Sequence, residues 1–190
     1  VITGISPIIF SSVLIPAFAK IKSNKLDLNV FINSIWKFIA LFSFLFVSIG
    51  LFVTIHNIDF FVSANTSNLR SIGKHVAILI WTGSGFIILS SYLSTILHYH
   101  KRFFLVALTS LLPSLFMILM VFLFNQSLGV RSIALGFFIA FTVQFIIFFK
   151  STDLGNDCIE FKIKEILNRR LLVRQSFLVI LSLLPFTILI

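Results

Sequence analysis

Apolar residues in this chain come in long unbroken runs separated by short polar gaps. Six runs stand out, at residues 1–19, 36–55 (apolar from Phe38, with Val30 to Lys37 as an amphipathic lead-in), 76–99, 103–124, 133–149 and 175–190. A helix crosses the hydrocarbon core of a bilayer with about 20 predominantly apolar residues, and each run meets or approaches that length. Strands of a membrane barrel would instead show short segments of alternating polarity. The pattern therefore predicts an all-α integral membrane protein, a polytopic bundle of about six transmembrane helices. The first run opens at Val1 and the last closes at Ile190, both inside apolar sequence. This reads as one transmembrane segment of a longer protein. The opening run has no basic residues ahead of it and no small-residue cleavage site, so it does not read as a signal peptide.

The gaps carry the charge, and they carry it unevenly. The first holds Lys20, Lys22 and Lys25, the third Lys101 and Arg102, and the fifth Lys150, Lys162, Lys164, Arg169, Arg170 and Arg174. Those three gaps hold eleven cations, or twelve with Lys37, whereas the second and fourth hold only Arg70, Lys74 and Arg131. Loops rich in Lys and Arg stay on the cytoplasmic side. The odd gaps are thus expected in the cytoplasm, and the first helix runs from outside to inside. Within the fifth gap, Phe161, Ile163, Ile166, Leu167, Leu171 and Leu172 recur near helical spacing opposite Lys162, Lys164, Glu165, Arg169 and Arg170. That pattern predicts a basic amphipathic helix over about 159–172, lying on the anionic inner leaflet; a solvated connecting helix is the alternative. Ser151 to Asp157 is the turn leading into it, and residues 56–75 read as a polar external loop with weak helical character.

Composition agrees with a lipid environment. Hydrophobic residues make up 58% of the chain and charged residues 11%, against about 25% charged in a soluble domain. The formal charge is +9, but the basic residues sit between spans rather than on one recognition surface, so nucleic acid is not an expected partner. One cysteine, Cys158, excludes an internal disulfide.

No catalytic signature is present, so the chain is not expected to be an enzyme or to need a cofactor. All six acids lie in gaps or at helix edges. His98 and His100, two residues apart, fall on different helix faces and read as part of an interfacial cluster with Lys101 and Arg102, not as metal ligands. Polar residues inside spans are the next place to look, because lipid makes them costly. Lys37, at the cytoplasmic start of the second span, either snorkels to the interface or meets a phosphate in a polar cavity. Gln144, mid-span, either bonds a neighbouring helix or lines a cavity. Ser11 and Ser12 precede Pro16 in the first span. Gly83 and Gly85 sit among Thr82, Ser84, Ser90, Ser91, Ser94 and Thr95, where small residues serve close packing or a hinge. Pro113 and Pro185 each remove a backbone donor and permit a kink. Pro16, Gly83, Gly85 and Pro113 are the hinge candidates.

Four stretches resemble the MurJ/MviN-type lipid II flippases, in the superfamily of multidrug, oligosaccharidyl-lipid and polysaccharide exporters. Ser11-Ser12-Val13-Leu14-Ile15-Pro16-Ala17-Phe18-Ala19-Lys20 is similar to the end of that family's second helix. Lys101-Arg102-Phe103-Phe104, closing the stretch from Ser90 to Leu105, resembles its Gly-Arg-Phe-like turn between the fourth and fifth helices. Leu128-Gly129-Val130-Arg131-Ser132-Ile133-Ala134-Leu135-Gly136 resembles the short external turn into its sixth helix, and the basic stretch before the last run has its counterpart as well. On this register the chain spans the family's second helix to part of its seventh. Two departures are clear: Lys101 stands where a glycine is usual, and the fourth run lacks an early proline, although Pro113 follows. The family's cavity arginines lie mainly in its first helix, at the start of its second and in its eighth, so none is carried over to this chain.

The resemblance implies a transporter that flips an undecaprenyl-pyrophosphate-linked cell-wall precursor such as lipid II across the bacterial inner membrane by alternating access. It places the protein in peptidoglycan biosynthesis and the maintenance of cell shape, as a multi-pass protein whose partners are the lipid-linked oligosaccharide and membrane lipids, with anionic headgroups at the cytoplasmic face. Lys37, Gln144, Ser11 and Ser12 are the cavity candidates. Another lipid-linked polysaccharide exporter, a cation-coupled drug exporter, a non-transporting scaffold subunit and a membrane-embedded lipid-modifying enzyme are the competing readings. A cation-coupled exporter would want an acid inside a span, and none is present. The segment alone is not expected to transport, since the opposite cavity wall lies outside it.

Overall fold

The computed structural model describes residues 2–23, 28–56 and 67–152. Its elements are α1 (Ile2–Ser23), α2 (Leu28–His56), α3 (Ser67–Tyr99), α4 (Phe103–Ser110), α5 (Leu112–Leu128) and α6 (Arg131–Ser151). Among the described residues there is no strand. Four stretches, Leu28–His56, Leu69–Tyr99, Phe103–Leu128 and Arg131–Ser151, are long and apolar enough to cross a membrane. The protein is an all-α membrane helix bundle. The expected amphipathic helix at 159–172, the span at 175–190, and Cys158 lie outside the described residues.

Two helices run well past their apolar stretches. The amphipathic lead-in is continuous with α2, because Phe31, Ile32, Ile35 and Ile39 fall on one face and are all buried. α3 starts at Ser67, so the polar residues before Val76 add more than two turns. At 1.5 Å per residue α3 is about 50 Å long, against a hydrocarbon core of about 30 Å, so it is longer than a span requires.

α3 is the centre of the bundle. α1, α2 and α6 each pack along it, and α5 is held through α6. Gly83 and Gly85 show how one helix takes two neighbours. Two residues apart is about 200° around a helix, so they face opposite ways: a side chain at Gly83 would meet Phe137 of α6, and one at Gly85 would meet Val47 and Ser43 of α2. Hydrogen bonds stitch α2 to α3 at three levels. The Trp81 indole donates to Thr54 Oγ1 at 2.9 Å, Ser43 Oγ to the Gly85 carbonyl at 3.0 Å, and Tyr92 OH to the Ile32 carbonyl at 2.7 Å. Such bonds between membrane helices contribute about 0.6 kcal/mol each on average, so they fix register more than they hold the pair together.

The largest buried cluster lies toward one end, where Phe10, Leu14 and Phe18 of α1 meet Phe31, Ile32, Ile35 and Ile39 of α2, Tyr92, Leu93, Ile96 and Leu97 of α3, and Phe148 of α6. Trp36 stacks on Tyr92 and on Phe145 with interplanar angles of 23° and 11°, joining α2 to both α3 and α6.

The fourth apolar run is two helices, not one. Pro113 has no N–H to donate to Thr109, the residue four back, and α4 ends at Ser110 before α5 begins at Leu112. The backbone tightens there, with the Leu111 N–H donating to Leu108 O at 3.3 Å. Pro16, by contrast, lies within the unbroken α1. α5 buries none of its residues, and Phe122 is 85% exposed. It reaches the bundle by close approach to α6, where Ser132, Gly136 and Ala140, four residues apart, are all buried. A methyl added at Gly136 would lie 2.8 Å from the Met117 Cα and 3.0 Å from the Phe116 carbonyl oxygen. These are backbone atoms and cannot step aside.

Replacing Gly136 with leucine should push α5 off α6 and destabilise the protein by about 2 kcal/mol, in the range of overpacked cores. A thermal melt of the purified protein in detergent checks this. The exposed Phe122→Leu serves as the control and should leave the midpoint in place.

Candidate functional site

The bundle gathers its cations by end. Phe18 meets Phe31 and Tyr99 with ring centroids 6.0 and 5.4 Å apart, and Trp36 meets Phe149 at 6.0 Å. These contacts bring the last turns of α1, α3 and α6 to the first turns of α2. Lys20, Lys22, Lys37, Lys101, Arg102 and Lys150 are therefore toward one end, and Arg70, Lys74 and Arg131 are at the other. None of the six acids of the chain falls among the described residues, nor does any group of three or more His, Cys, Asp or Glu there sit where it could hold a metal ion.

The turn from α3 to α4 organises this basic end. The Arg102 N–H donates to Leu97 O and the Lys101 N–H to His98 O, both at 2.9 Å. This pair of bonds is the Schellman closure of a helix C-terminus, which places the residue after the cap in the left-handed region and usually puts glycine there. Here Lys101 occupies it, at φ 60°. The departure from the Gly-Arg-Phe-like turn thus falls on the one residue of the turn where a side chain strains the backbone. Arg102 then reaches across, its Nη1 donating to Ser151 O at 2.7 Å. A guanidinium on one of the last carbonyls of α6 satisfies an acceptor that has no partner inside the helix and complements the negative end of the helix dipole. One turn therefore closes α3, starts α4 and caps α6. His98 packs its ring at 5.4 Å from Phe103, while His100, beyond the helix, is exposed.

The four cavity candidates lie on three helices arranged around α3. Lys37 is exposed on α2 and heads a face that continues through Leu41, Phe44, Phe52 and Ile55, all exposed. Its neighbour Trp36 points the other way, into the aromatic cluster. Gln144 of α6 is partly buried, and its Oε1 is fully covered with no hydrogen-bond partner. On α1, Ser11 is partly buried and Ser12 exposed. Two polar atoms that composition did not single out as orphans join Gln144: Ser90 Oγ in α3 and Arg131 Nε at the start of α6, away from the basic end. Only packing reveals them, because a serine in a small-residue stretch looks like every other serine there.

A bundle whose helices are apolar on the outside, cationic at one end and closely packed through small residues defines a polytopic membrane protein. A family model described as the lipid II flippase MurJ matches residues 7–183, and the chain belongs to that family. No curated protein and no solved structure matches the chain.

Relieving the left-handed residue should stabilise the turn. Lys101→Gly is expected to gain up to about 1 kcal/mol, the scale of a left-handed non-glycine residue. The β-branched Lys101→Val should lose a comparable amount. Equilibrium unfolding midpoints for the two variants against the parent measure both signs.

Proposed function

We propose that this protein flips a lipid-linked, undecaprenyl-pyrophosphate-borne cell-wall precursor, with lipid II the leading substrate, from the inner to the outer leaflet of the bacterial cytoplasmic membrane. The observation that carries the reading is the family match over residues 7–183, on a helix bundle of the matching class. The physical task is to move a large polar, anionic headgroup through a medium that excludes charge. Alternating access does this by opening a hydrated cavity first to one side and then to the other.

The basic end faces the cytoplasm, as the distribution of Lys and Arg requires, and there the cations meet a pyrophosphate before it enters. Lys37 is suited to that first contact. It is a cation at the interfacial end of an exposed apolar face, so the ammonium takes the phosphate while Leu41, Phe44 and Phe52 lie along the isoprenoid. Gln144, Ser11 and Ser12 are further polar groups on helices around α3 that would line the cavity beside the sugar headgroup once the bundle opens. The breaks and close contacts at Pro113, Gly83 and Gly85, with Pro16, are the places where helices bend or slide during the cycle. The protein acts without covalent chemistry or a cofactor. A scaffold subunit or an exporter of another lipid-linked glycan is the second reading, and it would leave the peptidoglycan precursor pool unmoved.

Depleting the protein in its own cells should raise the total pool of lipid-linked peptidoglycan precursor several-fold and make the cells round and lyse. Re-expression of the parent should restore both. Lys37→Arg should restore as well as the parent, whereas Lys37→Ala should restore the pool only partly. An unchanged precursor pool on depletion would remove peptidoglycan precursors as the cargo.

A further inference from the structure

In α3, Thr82 and Ser84 send their hydroxyls back to the carbonyls of Ile78 and Ile80, and Ser91 and Thr95 send theirs to Ile87 and Ser91. Each hydroxyl is satisfied inside its own helix. Ser90 breaks the pattern: it is 4% exposed, and its Oγ has no partner. Gln144 Oε1 in α6 is likewise fully covered and without a partner.

The register of the two helices puts Ser90 and Gln144 at one level. Gly83 lies against Phe137, and Phe86 packs its ring at 6.0 Å from Phe138 and 5.5 Å from Phe145. Positions rise together on the two helices, so α3 and α6 run parallel. Seven residues is two helical turns and returns to the same face. Ser90 is seven beyond Gly83, and Gln144 is seven beyond Phe137. By this spacing Ser90 and Gln144 fall on the faces that Gly83 and Phe137 present to each other, two turns nearer the basic end and about 10 Å from the end of α6.

We propose that the α3–α6 interface holds a buried water molecule hydrogen-bonded by Ser90 Oγ and Gln144 Oε1. The Ser90 hydroxyl can donate and the Gln144 amide oxygen can only accept, and a water between them serves both. Buried waters occupy polar pockets with two to four such partners. The water accepts from the Ser90 hydroxyl and donates to the Gln144 carbonyl oxygen. This gives α3 and α6 a polar contact that can be exchanged and remade without unsatisfying either helix. It rests on helix packing and not on the identity of the cargo, so it stands or falls apart from the flippase reading.

The test uses the complete protein in lipid nanodiscs. A cryo-electron-microscopy map at a resolution that shows ordered waters should place a water peak within hydrogen-bonding distance of both Ser90 Oγ and Gln144 Oε1. Thermal melts of Ser90→Ala, Gln144→Leu and the double variant should be coupled. Each single substitution lowers the midpoint by roughly 2–4 °C, and the double lowers it no further than the worse single. Direct contact of the two side chains with no density between them overturns the proposal, as do additive shifts in the double variant. If a single variant fails to fold, the map of the parent protein decides alone.

Discussion

Close approach to α3 is the constraint on which the rest of this bundle depends. Lipid tails are as apolar as the side chains they solvate, so burying a leucine between membrane helices gains little that lipid does not already give. Association rests on packing and on the few hydrogen bonds that hydrocarbon leaves no alternative to. α3 meets this with small residues on opposed faces, Gly83 toward α6 and Gly85 toward α2, and with hydroxyls that bond back into their own helix. α6 repeats the device toward α5 at Gly136. The large aromatic side chains then fill the space that the glycines define, with Trp36 between Tyr92 and Phe145. Bulk added at the glycines would separate the helices before any aromatic contact could form.

The same logic separates the two ends of the molecule. At the basic end, α1, α2, α3 and α6 converge on one buried cluster, and the α3–α4 turn ties α6 down through Arg102. α5 has no comparable burial and touches the bundle along one seam, above a helix break at Pro113. A transporter needs a firm body and elements that can shift against it. The converging helices supply the first, and the seam and break are suited to the second.

Much of this was legible in the sequence because lipid imposes a simple rule: a spanning segment must be long, apolar and helical. The runs from Phe38, Val76, Phe103 and Ile133 all coincide with helices for that reason, and the grouping of cations by gap anticipated the basic end. The family resemblance was legible in helix-end patterns such as Ser11 to Lys20 and Leu128 to Gly136. Hydropathy could not show where helices begin, since Ser67 to His75 are helical but polar. Nor could it show the break before Pro113, whose apolar neighbours read as one run. The site was harder still. Lys37 and Gln144 were visible as costly residues, but only packing shows that Lys37 heads an exposed apolar face while Gln144 Oε1 is covered and has no hydrogen-bond partner.

The central claim is that this bundle carries a lipid-linked precursor from one leaflet to the other, and leaflet accessibility tests it most directly. Cells in which the protein has been depleted would be probed for precursor that can be labelled or cleaved from outside the cytoplasmic membrane. The account predicts that the externally accessible fraction falls while precursor builds up inside. An accessible fraction that stays unchanged as the protein disappears would contradict it.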